Sequence, residues 1–320
     1  MTQADSSSNQ GSNASAFNFT LMSISFSHYN EKARWGLDYY GIPYTEYRSL
    51  PILHMLSMFK SRAKACPTSG TPFVTPHLTV APANAPDEKD VKITMNDSTE
   101  ILGFMSDRFS APPNKAATST STPPLNLYSN NAETKAKILA LEERFDTIIG
   151  PNVRRLVYSE ILCHSPKSVG QSLGQHGNAG ALQTWIWTWF FFVFSWILIR
   201  FIRVTPESAE RSKDILKREF EHLSRVLESG PPGPAYLVGN EFTAADMTLA
   251  SLASLLVGVT QEDGYGAWVP PMSVFRPEAQ EFLKELREST AGQHILECYR
   301  LHRGKKAEGS KYGLSFFGWW

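Results

Sequence analysis

The sequence predicts two domains, an α/β domain near the N-terminus and an all-α domain after it. Three observations carry this prediction. Ser25 to Tyr44 reads as the end of a strand, a sharp turn and one amphipathic helix leading into a further strand, a β-α-β start. Ala111–Pro124 is rich in Pro, Ser and Thr, the composition of a linker. Beyond that stretch the apolar residues recur at helical spacing and no longer alternate.

In chain order, residues 1–17 form a polar tail with no basic start and no apolar run, so neither a secretory signal nor a transit peptide is expected. Phe17–Phe26 alternates apolar and polar residues and predicts the first strand. The turn falls at Ser27. Ala33, Leu37 and Tyr40 then mark one face of a helix over Tyr29–Tyr40, which Gly41 and Pro43 end. Ile42–Tyr47 predicts a second strand, and Leu50–Ala65 an irregular to helical stretch. Thr71–Val80 is β-branched but holds Pro72 and Pro76, which a central strand does not tolerate, so special geometry is expected at its entrance. Val80–Val91 reads as an enlarged turn, Lys92–Met95 as the returning strand, and Asp97-Ser98 as the head of a helix ending near Phe109.

After a linker over 111–133, helices are predicted at Thr134–Ile149, Pro151–Cys163 and Pro206–Leu227; in the last, Ile215, Leu216, Phe220, Leu223 and Leu227 share one side. Thr243 and Asp246 have the spacing of a capping box, which assigns Asp246 a structural role. Residues 304–320 are read as a tail.

Composition bounds the function. The 320 residues are 42% hydrophobic, with 31 basic and 31 acidic side chains, so nothing favours nucleic acid. Cys66, Cys163 and Cys298 lie far apart, without metal-ligand or disulfide spacing, so no metal is expected and a reducing, cytoplasmic setting is the default.

The motifs resemble those of the glutathione transferase family. Ser27-His28-Tyr29, with Lys32 and Arg34 following, is similar to a serine-type active-site turn. Pro76 matches the family's cis proline, with Pro72 the weaker candidate. Asp97-Ser98 matches an acidic-Ser step one methylene longer, and Thr243/Asp246 the box of the central helix. Ala291-Gly292 and Tyr299–Arg303 resemble the close of a bacterial-type subgroup. The resemblance covers residues 18–303 and implies a thioredoxin-like domain over 18–110 and a helical domain over 134–303.

It further implies glutathione as cosubstrate, its cysteine backbone on Thr75 beside Pro76, its γ-glutamyl end on Asp97 and Ser98, and its thiol at Ser27. A hydrophobic electrophile would enter between the domains, where Arg154, Arg155 and Tyr158 are candidates. The expected activity is thiolate conjugation in detoxification, in a fold that usually dimerises. Asn30 stands where relatives often carry a cysteine, which disfavours thiol exchange. Ser23 and Ser25 rival Ser27, while His28 and His54 are read as solvent-facing or packed. The alternative is a noncatalytic, glutathione-transferase-like binding or membrane-associated scaffold.

One segment stands outside this pattern. The aromatic stretch 185–202 is apolar on every side over Trp185–Ile199. Fifteen residues span about 22 Å against a hydrocarbon core of about 30 Å. One buried or dimer-facing helix is favoured over peripheral membrane docking, and docking over spanning. Phe316–Trp320 would add to a docking surface.

Overall fold

The computed structural model describes residues 16–62, 74–83, 93–110, 126–229 and 236–313. Pro72, Cys66, most of the Val80–Val91 turn, the Pro/Ser/Thr-rich linker and Phe316–Trp320 lie outside these residues.

β1 (Phe17–Ile24), α1 (His28–Tyr39) and β2 (Tyr44–Ser49) form the β-α-β start, and α2 (Leu53–Arg62) follows. β1 and β2 pair in parallel, which requires a crossover such as α1. β3 (His77–Pro82) pairs antiparallel with β1, β4 (Ile93–Met95) antiparallel with β3, and α3 (Ser98–Phe109) closes the unit. The strand order 4-3-1-2 with these senses is the thioredoxin-like arrangement. β1 ends two residues before Phe26 because the Ser27 N–H turns back onto the Ile24 carbonyl at 2.9 Å. Gly41, at φ +63°, takes the left-handed conformation that stops α1.

The helical domain runs α4 (Ala132–Arg144), α5 (Gly150–Ser159), α6 (Lys167–Ser172), α7 (Ala181–Trp189), α8 (Phe191–Ile202), α9 (Pro206–Glu228), α10 (Ala244–Ala253), α11 (Pro277–Glu288) and α12 (Thr290–His302). The two helices expected on either side of Gly150-Pro151 are one continuous rod. A π-helical turn at Phe145–Ile149 widens the helix where Pro151 would otherwise clash. Every residue of α10 is buried, and it packs on α1, α4, α5 and α12, joining the two domains through one core.

Two findings differ from the sequence reading. Residues 304–313 are not a loose tail: Lys311–Gly313 forms β5, an edge strand parallel to β2. The expected single aromatic helix is a pair, α7 and α8, bent by 82° at Phe190. Trp187 and Phe191 both close on Gly170 of α6. The Trp187 indole donates to the Gly170 carbonyl at 2.9 Å, and a Cβ on Gly170 would meet the Phe191 ring at 2.0 Å. A side chain at Gly170 would have to displace the Phe191 ring, so the glycine lets both arms of the bend close on α6. Among the described residues, no single helix is long and apolar enough to cross a membrane. Nor is the pair wholly buried: Trp185, Trp189, Phe192 and Trp196 are exposed.

Candidate functional site

The β1–α1 turn is fastened from beneath. The Arg34 guanidinium donates to the Ser25 carbonyl at 2.7 Å, and the Tyr265 hydroxyl to the Phe26 carbonyl at 3.0 Å. Ser23 donates to Glu46 at 2.6 Å, and Ser25 donates to the Asn178 carbonyl, so both rivals of Ser27 point into the protein. Ser27 is half-buried at the N-cap of α1, and its side chain makes no bond to the helix amides. That leaves a hydroxyl and the open amides of one helical turn at the same place.

Glu31, Arg34, Glu46, Arg48 and Arg303 form a buried ionic lattice beneath this turn. Arg34 pairs with Glu46 at 2.7 Å and with Glu31 at 3.1 Å; Arg303 reaches Glu31 at 2.8 Å and Asp38 at 3.0 Å. Burial alone would raise the Glu46 carboxyl, but Arg34 and Arg48 outweigh it and hold the group down at about 2. Arg34 is therefore committed to the scaffold beneath the turn.

Lys32 is committed as well. Fully buried, it reaches Glu142 at 2.9 Å, Asp146 at 3.6 Å and the Thr99 hydroxyl at 2.5 Å. Thr99 in turn donates to Asp146 at 2.9 Å. One ammonium thus ties α1, the head of α3 and the α4–α5 rod together.

The Thr75–Pro76 peptide bond is cis. Asn30, in the first turn of α1, donates to the Thr75 hydroxyl at 3.2 Å, which sets the cis-proline step beside the Ser27 turn. In the sequence Asn30 stands out only as the absence of a cysteine, and nothing in its spacing announces this bond. Asp97 caps α3, accepting from the Thr99 and Glu100 amides at 2.8 and 3.0 Å, with Ser98 buried as the first helical residue. His77 holds the preceding Asn96 at 2.5 Å, fixing the approach to that helix.

His28 is buried, with Nε2 unpartnered, and burial together with the nearby Arg154 charge lowers its pKa to about 3. It is neutral at physiological pH and brings no cation to the turn. Arg154, exposed on α5, also acts on the Tyr29 and Tyr158 phenols: burial raises both, and Arg154 draws both down. Arg155 instead turns to Asn152 and Ser212 at 3.0 Å each. Phe26 opens onto a small apolar cavity of about 30 Å³ with Val157, Ile161, Leu173 and Val259.

Thr243 and Asp246 form the reciprocal box at the head of α10. Asp246 also accepts from the Leu237 amide at 2.9 Å and lies 3.1 Å from His294. Fully buried and saturated, this carboxylate holds the helical core together. Among the described residues no group of three or more His, Cys, Asp or Glu is placed to hold a metal ion.

No family model and no curated protein matches the chain. Among solved structures it is similar to Ure2p in complex with glutathione, at 13% identity and a TM-score of 0.48, covering 88% of this chain and 94% of that one. It is similar to maleylacetoacetate isomerase from Anaeromyxobacter dehalogenans with GSH in its active site, at 16% identity and 0.42, covering 91% and 99%. It is also similar to glutathione transferase Omega 2S from Trametes versicolor, at 14% identity and 0.45, covering 91% and 90%.

Proposed function

We propose that this chain binds glutathione at the N-terminal end of α1 and conjugates its thiolate to a small hydrophobic electrophile. One observation carries the reading: the cis Thr75–Pro76 step is bonded through Asn30 to the same helical turn that Ser27 begins. The cysteinyl backbone of glutathione would pair with Thr75, and its γ-glutamyl end would lie at the head of α3 on Ser98 and on Asp97, whose carboxylate already holds the Thr99 and Glu100 amides. The sulfur would then face Ser27.

A free thiol of pKa about 8.5 is mostly protonated at neutral pH. The Ser27 hydroxyl donates to the sulfur, the α1 amides add their positive end, and both favour the thiolate. With Lys32 and Arg34 held in buried ion pairs and His28 neutral, these two contributions are what the turn itself offers. The thiol proton leaves to solvent, the sulfur pair forms the C–S bond, and the electrophile expels its leaving group. The electrophile would meet the sulfur beside the Ser27 turn, where exposed Arg154 of α5 is close enough to act on His28 and Tyr29. A detoxifying role, a cytoplasmic setting and a homodimer belong to the same proposal.

The test is calorimetric titration with glutathione alongside turnover of chlorodinitrobenzene. Binding with turnover that Ser27→Ala suppresses supports the transferase. Binding without turnover leaves a noncatalytic glutathione-binding protein, and absence of binding refutes the transferase and that reading alike.

A further inference from the structure

A helix on the surface of a globular protein turns its polar side outward. α7 and α8 do the opposite. Their inner faces are specifically anchored: Gln183 accepts from the Leu50 amide at 3.1 Å, Thr184 donates to the Gly174 carbonyl at 2.5 Å, and Trp187 stacks on Phe194 with ring centroids 5.4 Å apart. Held this way, the pair presents Trp185, Trp189 and Phe190 from one arm and Phe192, Trp196 and Phe201 from the other. Phe201, at 82%, is the most exposed large apolar side chain among the described residues.

Charge completes the surface. Between Glu160 and Glu207 the sequence has no acidic residue, while Lys167, Arg200 and Arg203 are exposed. Arg200 lies over the Trp196 ring at 5.4 Å, so cation and aromatic share one patch. Arms of 9 and 12 residues are about 14 and 18 Å long, far short of a hydrocarbon core.

We infer that the α7–α8 elbow is a peripheral membrane anchor. It lies in the interface of a bilayer bearing anionic headgroups, with its tryptophans and phenylalanines at the acyl boundary and Lys167, Arg200 and Arg203 among the headgroups. A second copy of the chain is a poorer occupant, because a two-fold contact would set the cations of this segment against each other with no acidic residue of the segment to meet them. This inference is independent of the glutathione site.

Co-sedimentation of the full chain with vesicles tests it. The vesicles are phosphatidylcholine alone, or phosphatidylcholine with a quarter phosphatidylserine, at low and high salt. The expected result is binding to the anionic vesicles at least about tenfold tighter than to the neutral ones, weakened by salt, with a blue shift of tryptophan emission. The combined Trp185→Ser, Trp189→Ser, Phe192→Ser and Trp196→Ser variant should lose at least about tenfold in partitioning, with an unchanged circular dichroism spectrum. Arg200→Glu with Arg203→Glu leaves the aromatic face intact and should abolish the lipid-charge preference and the salt effect. Three results would overturn the inference: no binding to either vesicle, aromatic and charge variants that bind like wild type, or a dimer in light scattering that only the aromatic variant dissolves while vesicles retain nothing.

Discussion

Ser27→Ala removes one oxygen from the turn and leaves its anchors, Arg34 on the Ser25 carbonyl and Tyr265 on the Phe26 carbonyl, in place. Because the Ser27 side chain caps no helix amide, its loss should hardly affect the fold. On the proposed function, its effect should fall on the bound sulfur. A hydrogen bond to a charged acceptor contributes about 1.5–3 kcal/mol, and one pKa unit corresponds to about 1.4 kcal/mol. Loss of the hydroxyl should therefore raise the pKa of bound glutathione by about 1–2 units. A sulfur at about 6.5 is roughly three-quarters ionised at pH 7, whereas one at about 8 is only about a tenth ionised. Thiolate absorbance of the complex, titrated with pH, reads this directly, and chlorodinitrobenzene turnover at neutral pH should fall in step. Titration curves that superimpose would refute the reasoning, since they would show the hydroxyl does not touch the thiolate.

Other perturbations follow from the same geometry. Asn30→Ala removes the bond to Thr75 and should weaken glutathione binding by about 1 kcal/mol, several-fold in calorimetric Kd, with little change in melting temperature. Lys32→Met leaves Glu142 as an uncompensated buried charge and should cost about 3–5 kcal/mol in urea unfolding; a loss below about 1 kcal/mol would show that the ammonium does not bind the domains. On acidification, His28, held at about 3 in the fold against an ordinary 6.5, contributes stability present above pH 6.5 and lost as pH falls toward 3. Glu46, held at about 2, adds a second loss that begins below about 4.5 and continues to about 2. Denaturation profiles of His28→Phe should be flatter between pH 6.5 and 3, and those of Glu46→Gln flatter only below 4.5.

The first domain was legible because its signals are local. A turn serine, a helix face at Ala33, Leu37 and Tyr40, a glycine stop and an aspartate cap each act within four residues of themselves. Pro76 was legible because two prolines before a strand demand an explanation, and the resemblance supplied one. The ion pairs of Lys32 with Glu142 and of Glu31 with Arg303 join residues more than a hundred positions apart, which no periodicity records. β5 escaped notice because three residues are too few to show alternation. The bend at Phe190 was hidden for another reason. Trp187, Phe191, Ser195 and Leu198 keep the spacing of one straight helix, and the contacts with Gly170 on either side of the bend are not encoded in that spacing.

The most direct measurement is a crystal structure of the protein with glutathione. The account predicts the tripeptide along the first domain, its cysteinyl amide on the Thr75 backbone, its γ-glutamyl end at the head of α3 and its sulfur within hydrogen-bond reach of Ser27 Oγ. Glutathione seated elsewhere, or a sulfur facing away from Ser27, would contradict it.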